Sequence, residues 1–185
     1  MNKIRLVSLF ASIALFMAAC GGSSTPEPPD PPPPPPPVGM AEAFQFLNQA
    51  TFGATEAEAD DVIRMRFEAW IDDQIRTPMS FQLPHLQAQP DPPFMGLLHN
   101  DRVDIWFRNS VYGEDQLRQR VAFALSEIFV VSQLGALQDR PFAVADFYDL
   151  LTRRAFGNYR DLIEEVTLHP AMGVYLSMLG NEKPD

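Results

Sequence analysis

Apolar side chains recur every three or four positions from residue 41 onward, and this spacing predicts helices along the rest of the chain. No alternation of apolar and polar residues is long enough to predict a strand. Capping and breaking residues divide the pattern, as in the capping box of Thr55 and Glu58 or the helix-starting Pro141. The predicted helices cover residues 41–52, 55–67, 68–76, 101–112, 115–132, 141–156, 158–168 and 170–180. The segment 68–76 either extends the preceding helix or restarts it, and a proline-containing loop is predicted over 79–97. The fold class is therefore all-α, a multi-helix domain.

The segment over residues 115–132 has the most informative pattern. One broad face of it is apolar, formed by Leu117, Val121, Ala124, Leu125, Ile128 and Val131. Phe123 and Val130 lie nearly opposite that face, so the second half of the segment is expected to be buried. Glu127 falls in this half, and because a bare buried carboxylate costs several kcal/mol, it must be paired, hydrogen-bonded or protonated. The candidate partners are Arg120, Arg153 and Arg154.

The first twenty residues have the features of a bacterial lipoprotein signal. A positively charged start and an apolar stretch too short to span a bilayer precede Met17-Ala18-Ala19 and then Cys20. This order predicts a signal peptide over residues 1–19 and a lipid attached to Cys20. The alternative is an ordinary cleaved signal beside an incidental cysteine, which would leave an unpaired thiol in an oxidising compartment. The residue after Cys20 is Gly21, whereas an aspartate at this position would resemble a signal for retention in the inner membrane. Sorting to the outer membrane is therefore favoured.

Residues 20–39 are predicted to be a linker rich in glycine, serine and proline. Ten of the 18 prolines lie between Pro26 and Pro37, and the last seven are consecutive. Such a run lacks backbone donors and adopts the extended polyproline II conformation, at about 3.1 Å per residue. We interpret it as a stalk between the lipid and a folded domain. The alternative is a docking ligand for an aromatic-lined groove.

Residues 40–185 are long enough for one helical domain with its own core. Removal of residues 1–19 takes away Lys3 and Arg5, so the 14 basic side chains fall to 12 against 24 acidic ones, a net charge of −12. A surface of this charge repels nucleic acid and anionic lipid head groups. We therefore expect no nucleic-acid partner, and contact with a membrane through the N-terminal lipid.

The familiar catalytic and phosphate-binding motifs are missing from the sequence, so no cofactor is predicted. The three histidines, His85, His99 and His169, lack a metal-ligand spacing, and no metal site is predicted. His169 is interpreted as a helix cap or a packed side chain. Glu127 is the main catalytic candidate, with Arg120 or His169 as its helper, but a structural ion pair is the favoured interpretation of this glutamate. The sequence leaves open whether the protein is an enzyme.

Several ordered blocks of the sequence resemble a bacterial family of exported proteins known as domain of unknown function 1800. The blocks are FLNQATFGAT (46–55), WIDDQ (70–74), DQLRQRVAFALSE (115–127), AFGNYRD (155–161) and HPAMGVYLS (169–177). The resemblance implies no established activity, but it implies a second exported protein as a possible partner, since such proteins are often encoded side by side. Family members are usually longer, and Lys183-Pro184-Asp185 resembles the lead-in to a further block. The resemblance therefore predicts a domain truncated at its C-terminus.

Two functions follow from these observations as expectations. The first is a lipid-anchored cell-envelope protein that binds or assembles with another exported protein. The alternative is an envelope hydrolase that uses a buried glutamate, Glu127.

Overall fold

The structure, a computed structural model, describes residues 36–91 and 94–181. The predicted signal peptide, Cys20 and most of the predicted linker lie outside the described residues. Within them, eight α-helices and no strand are present, which confirms the all-α fold class. The helices are α1 (Met40–Ala50), α2 (Glu56–Arg76), α3 (Leu83–Gln87), α4 (Leu98–Tyr112), α5 (Gln116–Ile128), α6 (Pro141–Arg154), α7 (Tyr159–Leu168) and α8 (Pro170–Tyr175).

Among the described helices, none combines the length and the apolar composition that a membrane crossing requires.

The capping signals in the sequence begin helices where they were predicted to. Thr55 and Glu58 form the expected capping box of α2, with the Thr55 N–H donating to Glu58 Oε2 at 2.8 Å. Pro141 occupies the first turn of α6. Asn158 caps α7, because its Oδ1 accepts the N–H of Arg160 at 2.8 Å. These contacts are local in sequence, and so the pattern predicts them well.

Some predicted boundaries are wrong. Residues 79–97 contain the short helix α3 and a 3₁₀ turn at Met95–Leu97, because Pro84 fits the first turn of a helix. α4 begins at Leu98, and Asp101 lies in its first turn. The ends of α5 and α8 fall earlier than predicted, at Ile128 and Tyr175. Inside α2, the residues 68–76 restart the helix after Arg66, whose φ of 70° and ψ of 160° are not helical.

Three apolar clusters form the interior of the described domain. The largest lies between α5, α6, α7 and α8 and contains Ala122, Val131, Leu137, Val144, Phe147, Leu150, Leu151, Leu162, Val166, Ala171 and Met172. The second lies between α1 and α2 and contains Val38, Ala43, Leu47, Ala50, Ala59, Val62 and Trp70. The third joins α3, α4 and α6 and contains Leu86, Leu98, Ile105 and Ala145. The central helix α6 takes part in two of the three.

Buried carboxylates hold the connection between α2 and α3. Asp149 of α6 accepts the backbone N–H of Gln82 at 2.7 Å and that of Leu83 at 2.9 Å. Asp115, which is fully buried, accepts the N–H of Ser80 at 3.0 Å. Asp115 was predicted to open helix α5, and it does precede the first helical residue, but its carboxylate binds this connection and does not cap the helix. The chain over residues 77–83 is thereby positioned by a side chain of α6 and by one that directly precedes α5.

Candidate functional site

Helix α5 packs with its polar side inward. Its buried residues are Arg118, Gln119, Ala122 and Ser126. The predicted apolar face instead lines an open groove of about 530 Å³, together with Gln49 of α1; the lining residues from α5 are Leu117, Arg120, Val121, Phe123, Ala124, Leu125, Glu127 and Ile128. Ile128 is 66% exposed. The predicted burial of this half is therefore wrong for Glu127 and Ile128, whereas Val131, beyond the end of the helix, is buried in the largest apolar cluster. Hydrophobic periodicity defines an apolar face without determining what covers it.

Polar side chains take the inward positions of α5 because they serve backbone groups nearby. Gln119 donates to Ser80 O at 2.9 Å, and Arg118 donates to Ile75 O at 2.8 Å. The Arg118 guanidinium also lies 4.5 Å from the centre of the Phe156 ring. Burial lowers the pKa of Arg118 below its ordinary value. The inward face of α5 thus serves backbone carbonyls at the end of α2 and in the α2–α3 connection, and the apolar face is left half-buried or exposed along the groove.

Glu127 is exposed and forms no ion pair within 4 Å among the described residues. The expectation of a buried, paired carboxylate is wrong, since this carboxylate lies at the surface. Arg120 places its guanidinium 5.4 Å from the centre of the Phe52 ring. The alternative partners are engaged elsewhere: Arg153 faces Asp146 at 3.9 Å, and Arg154 pairs with Glu165 and Asp161.

His169 is a buried helix cap, as the sequence suggested. Its Nδ1 accepts the N–H of Ala171 at 3.1 Å, and its Nε2 lies 3.2 Å from Asp146 Oδ2. Because Nδ1 is an acceptor, Nε2 carries the proton and donates to the carboxylate. The ring packs edge-on against Phe147 at 5.3 Å. The groove is lined by Arg120 and Glu127 but not by His169, so the structure brings only two of the three catalytic candidates together.

The other two histidines also have structural partners. His99 is buried, and its Nε2 lies 3.2 Å from Leu137 O and 3.0 Å from Gln138 O, so this nitrogen is the N–H donor. Burial lowers the pKa of His99 below its ordinary value. His85 contacts the Arg108 guanidinium at 3.3 Å. Within residues 36–91 and 94–181, no group of three or more histidine, cysteine, aspartate or glutamate side chains is placed to hold a metal ion.

A smaller cavity of about 220 Å³ adjoins the groove. It lies between α4, α5 and α6 and is lined by Arg102, Val103, Trp106, Phe107, Phe123, Ser126, Glu127 and Tyr148. Trp106 packs against Phe107 at 4.9 Å and against Phe123 at 5.6 Å, centre to centre. Phe123 and Glu127 line both the cavity and the groove, so the two form one continuous surface.

Arg102 brings an uncompensated positive charge to this cavity. Its side chain is only 7% exposed, and the described residues place no carboxylate within 4 Å of it. Its partners are neutral: Gln133 Oε1 at 2.8 Å, Gln82 Oε1 at 3.4 Å and the Tyr148 ring at 5.0 Å. Its Nε has no hydrogen-bond partner, and burial lowers the pKa of Arg102 below its ordinary value. Sequence reasoning missed this residue because an arginine near the start of a helix is normally on the surface.

Comparison with known families settles the relationship that the sequence blocks suggested. The family model described as "Protein of unknown function (DUF1800)" matches residues 45–185, well over half of the chain. The chain belongs to the DUF1800 family. No curated protein and no solved structure matches it.

The DUF1800 match includes α4, α5 and α6 in full, so both the groove and the cavity are part of the family domain. The chemistry of these surfaces suits binding. The groove provides apolar contact area with one cation and one anion at its wall, and the cavity provides aromatic rings around a buried cation. The catalytic role expected of Glu127 rested on its burial, and in this DUF1800 domain Glu127 is exposed.

Proposed function

We propose that the protein is exported and lipid-anchored to the cell envelope, where its DUF1800 domain binds another exported protein. The observation that carries the binding role is the outward apolar face of α5. A contiguous apolar surface on a water-soluble domain commonly marks a protein interface. The strongly negative charge argues against nucleic acid and anionic lipid as its occupants.

The groove has the character of a site for an amphipathic helix. Leu117, Val121 and Leu125 are spaced along its floor at helical intervals, and Ile128 extends the apolar strip beyond them. A helix of the partner, laid along this strip, would bury these side chains and set its charged residues against Arg120 and Glu127.

Site-specific photo-crosslinking tests this role. With benzoyl-phenylalanine at position 128 in the full-length protein, cells should give one discrete adduct, and mass spectrometry should identify in it a protein with its own export signal. The matched control carries the same probe at Leu168, which is 74% exposed on α7 and lies outside the groove. The binding role is wrong if position 128 gives no adduct, or only the adducts that position 168 gives.

The anchoring part of the proposal depends on Cys20. The chain should incorporate radiolabelled palmitate in a bacterial host, and Cys20→Ala should incorporate none while its helical domain stays folded. Separation of the membranes by density should place the labelled protein in the outer membrane. Label taken up by the alanine variant would contradict lipid attachment at this cysteine.

The hydrolase alternative required a buried glutamate, and Glu127 is exposed. The groove holds Glu127 and Arg120 without His169, which pairs with Asp146 elsewhere, and so the binding role is the one proposed.

A further inference from the structure

The cavity beside Arg102 combines a buried cation with aromatic walls, a composition that suits an organic anion. A buried guanidinium is normally matched by a carboxylate, because desolvation of an unmatched charge costs several kcal/mol. Arg102 is 7% exposed and has only two amide oxygens and a ring as partners. The buried carboxylate of Asp149 does not serve it, since both oxygens of Asp149 accept backbone N–H groups of the α2–α3 connection.

We infer that this cavity binds a carboxylate carried on an aromatic or aliphatic body, with the carboxylate paired to the guanidinium of Arg102. The inference does not depend on the partner proposed for the groove. A guanidinium offers a planar set of donors that fits a carboxylate, and this pairing is among the strongest polar contacts available in a protein.

The walls of the cavity fit the apolar part of such a ligand. Trp106, Phe107 and Phe123 supply ring faces and edges, and the Tyr148 ring lies beside the guanidinium. A cavity of roughly 150 Å³ holds a benzene ring, so about 220 Å³ leaves room for a ring with a carboxylate. Ser126 lines the same space, but its hydroxyl already donates to Phe123 O at 2.7 Å. The cation and the aromatic walls therefore carry the recognition.

Glu127, which also lines the cavity, gives the ligand a direction. Its exposed carboxylate repels a second carboxylate, so the anionic end of the ligand should point towards buried Arg102 and away from Glu127. The chemistry is shared by a small free acid and by the C-terminus of a peptide that ends in an apolar residue. The two sources can be separated with different probes.

Tryptophan fluorescence of the full chain provides the measurement, because Trp106 lies in the cavity wall and the other tryptophan, Trp70, lies in the cluster between α1 and α2. Phenylacetate should change the emission saturably, and the neutral analogue phenylacetamide should bind at least about tenfold more weakly, since it lacks the charge-assisted contact. N-acetyl-phenylalanine should bind more tightly than phenylacetate if the source is a peptide terminus, and no better if it is a free acid. Equal binding of acid and amide, or no binding of either acid, would overturn the inference.

Variants then assign the contact to Arg102. Arg102→Met should weaken phenylacetate binding at least about tenfold, while the protein stays folded, because methionine keeps the apolar part of the side chain and removes a desolvated charge. Glu127→Gln should strengthen binding by about twofold, as expected for removal of an exposed like charge. Should Arg102→Met fail to fold, Phe107→Ala is the substitute, since Phe107 is 55% exposed and its loss removes one wall. Unchanged acid binding in a folded Arg102→Met protein would also overturn the assignment.

Discussion

The free energy of unfolding should fall by about 2 kcal/mol between pH 4 and pH 7 through Asp149 alone. Burial raises the pKa of this carboxyl from 3.8 to about 6, although two backbone N–H groups and Arg153 act in the opposite direction. Between those two values the folded state binds more protons than the unfolded state. The stabilising contribution is therefore fully present below pH 3.8 and is lost as the pH rises through 6.

Denaturant unfolding of the wild type and of Asp149→Asn, at half-unit steps from pH 4 to pH 7, measures this effect. The stability of the wild type relative to the variant should decline with rising pH, because asparagine does not titrate. His99 acts in the opposite direction, since burial lowers its pKa, but it is present in both proteins and cancels in the difference. Asp104→Asn is the matched control, as Asp104 is exposed on α4. A wild-type-to-variant difference that does not change with pH would show that Asp149 is ionised as readily in the folded chain as in the unfolded one.

Phe147→Ala should lower the free energy of unfolding by about 3–5 kcal/mol, as expected when a large ring is removed from a packed core. Phe147 is fully buried at the centre of the largest apolar cluster. Its ring also packs against Tyr148 at 6.3 Å and against the His169 ring at 5.3 Å. The substitution removes the apolar contacts and one wall of the pocket that holds the cap of α8.

Thermal and denaturant unfolding followed by circular dichroism provide the measurement. The control is Tyr112→Ala, because Tyr112 is 80% exposed and its loss should change stability by less than about 0.5 kcal/mol. A loss below about 1 kcal/mol for Phe147→Ala would mean that the cluster between α5, α6, α7 and α8 does not hold the domain together.

Much of the fold was predictable because it depends on contacts between neighbours in sequence. The capping box of Thr55 and Glu58 spans three positions, and the Asn158 cap spans two or three. Pro141 favours the start of α6 through the conformation of its own ring. The cap formed by His169 belongs to the same class, since its Nδ1 serves the N–H two residues ahead. The family relationship likewise followed from ordered blocks of residues, and the family model confirms it.

The candidate site was predictable only in part. Glu127 and Arg120 do line one surface, as their positions on a single helix implied, but the predicted burial of Glu127 and its predicted ion pair are wrong. Arg102 and Tyr148, which lie 46 positions apart, had no shared signal in the sequence, and yet the guanidinium lies 5.0 Å from the centre of the ring. Such contacts arise from the packing of α4 against α6 and have no counterpart in local periodicity.

The sequence by itself determined most of the segments that become helices, where most of these begin, the negative charge of the domain and its family. Only the tertiary structure decided which side of α5 faces inward. Asp149 reaches a backbone N–H that lies 67 positions earlier in the chain, and the polar inward face of α5 serves the same connection. Because a buried backbone group must find a hydrogen-bond partner, these distant contacts took the interior positions of α5. Most of the apolar face that periodicity predicted as core lines the open groove, and only Val131 at its far end joins the largest apolar cluster.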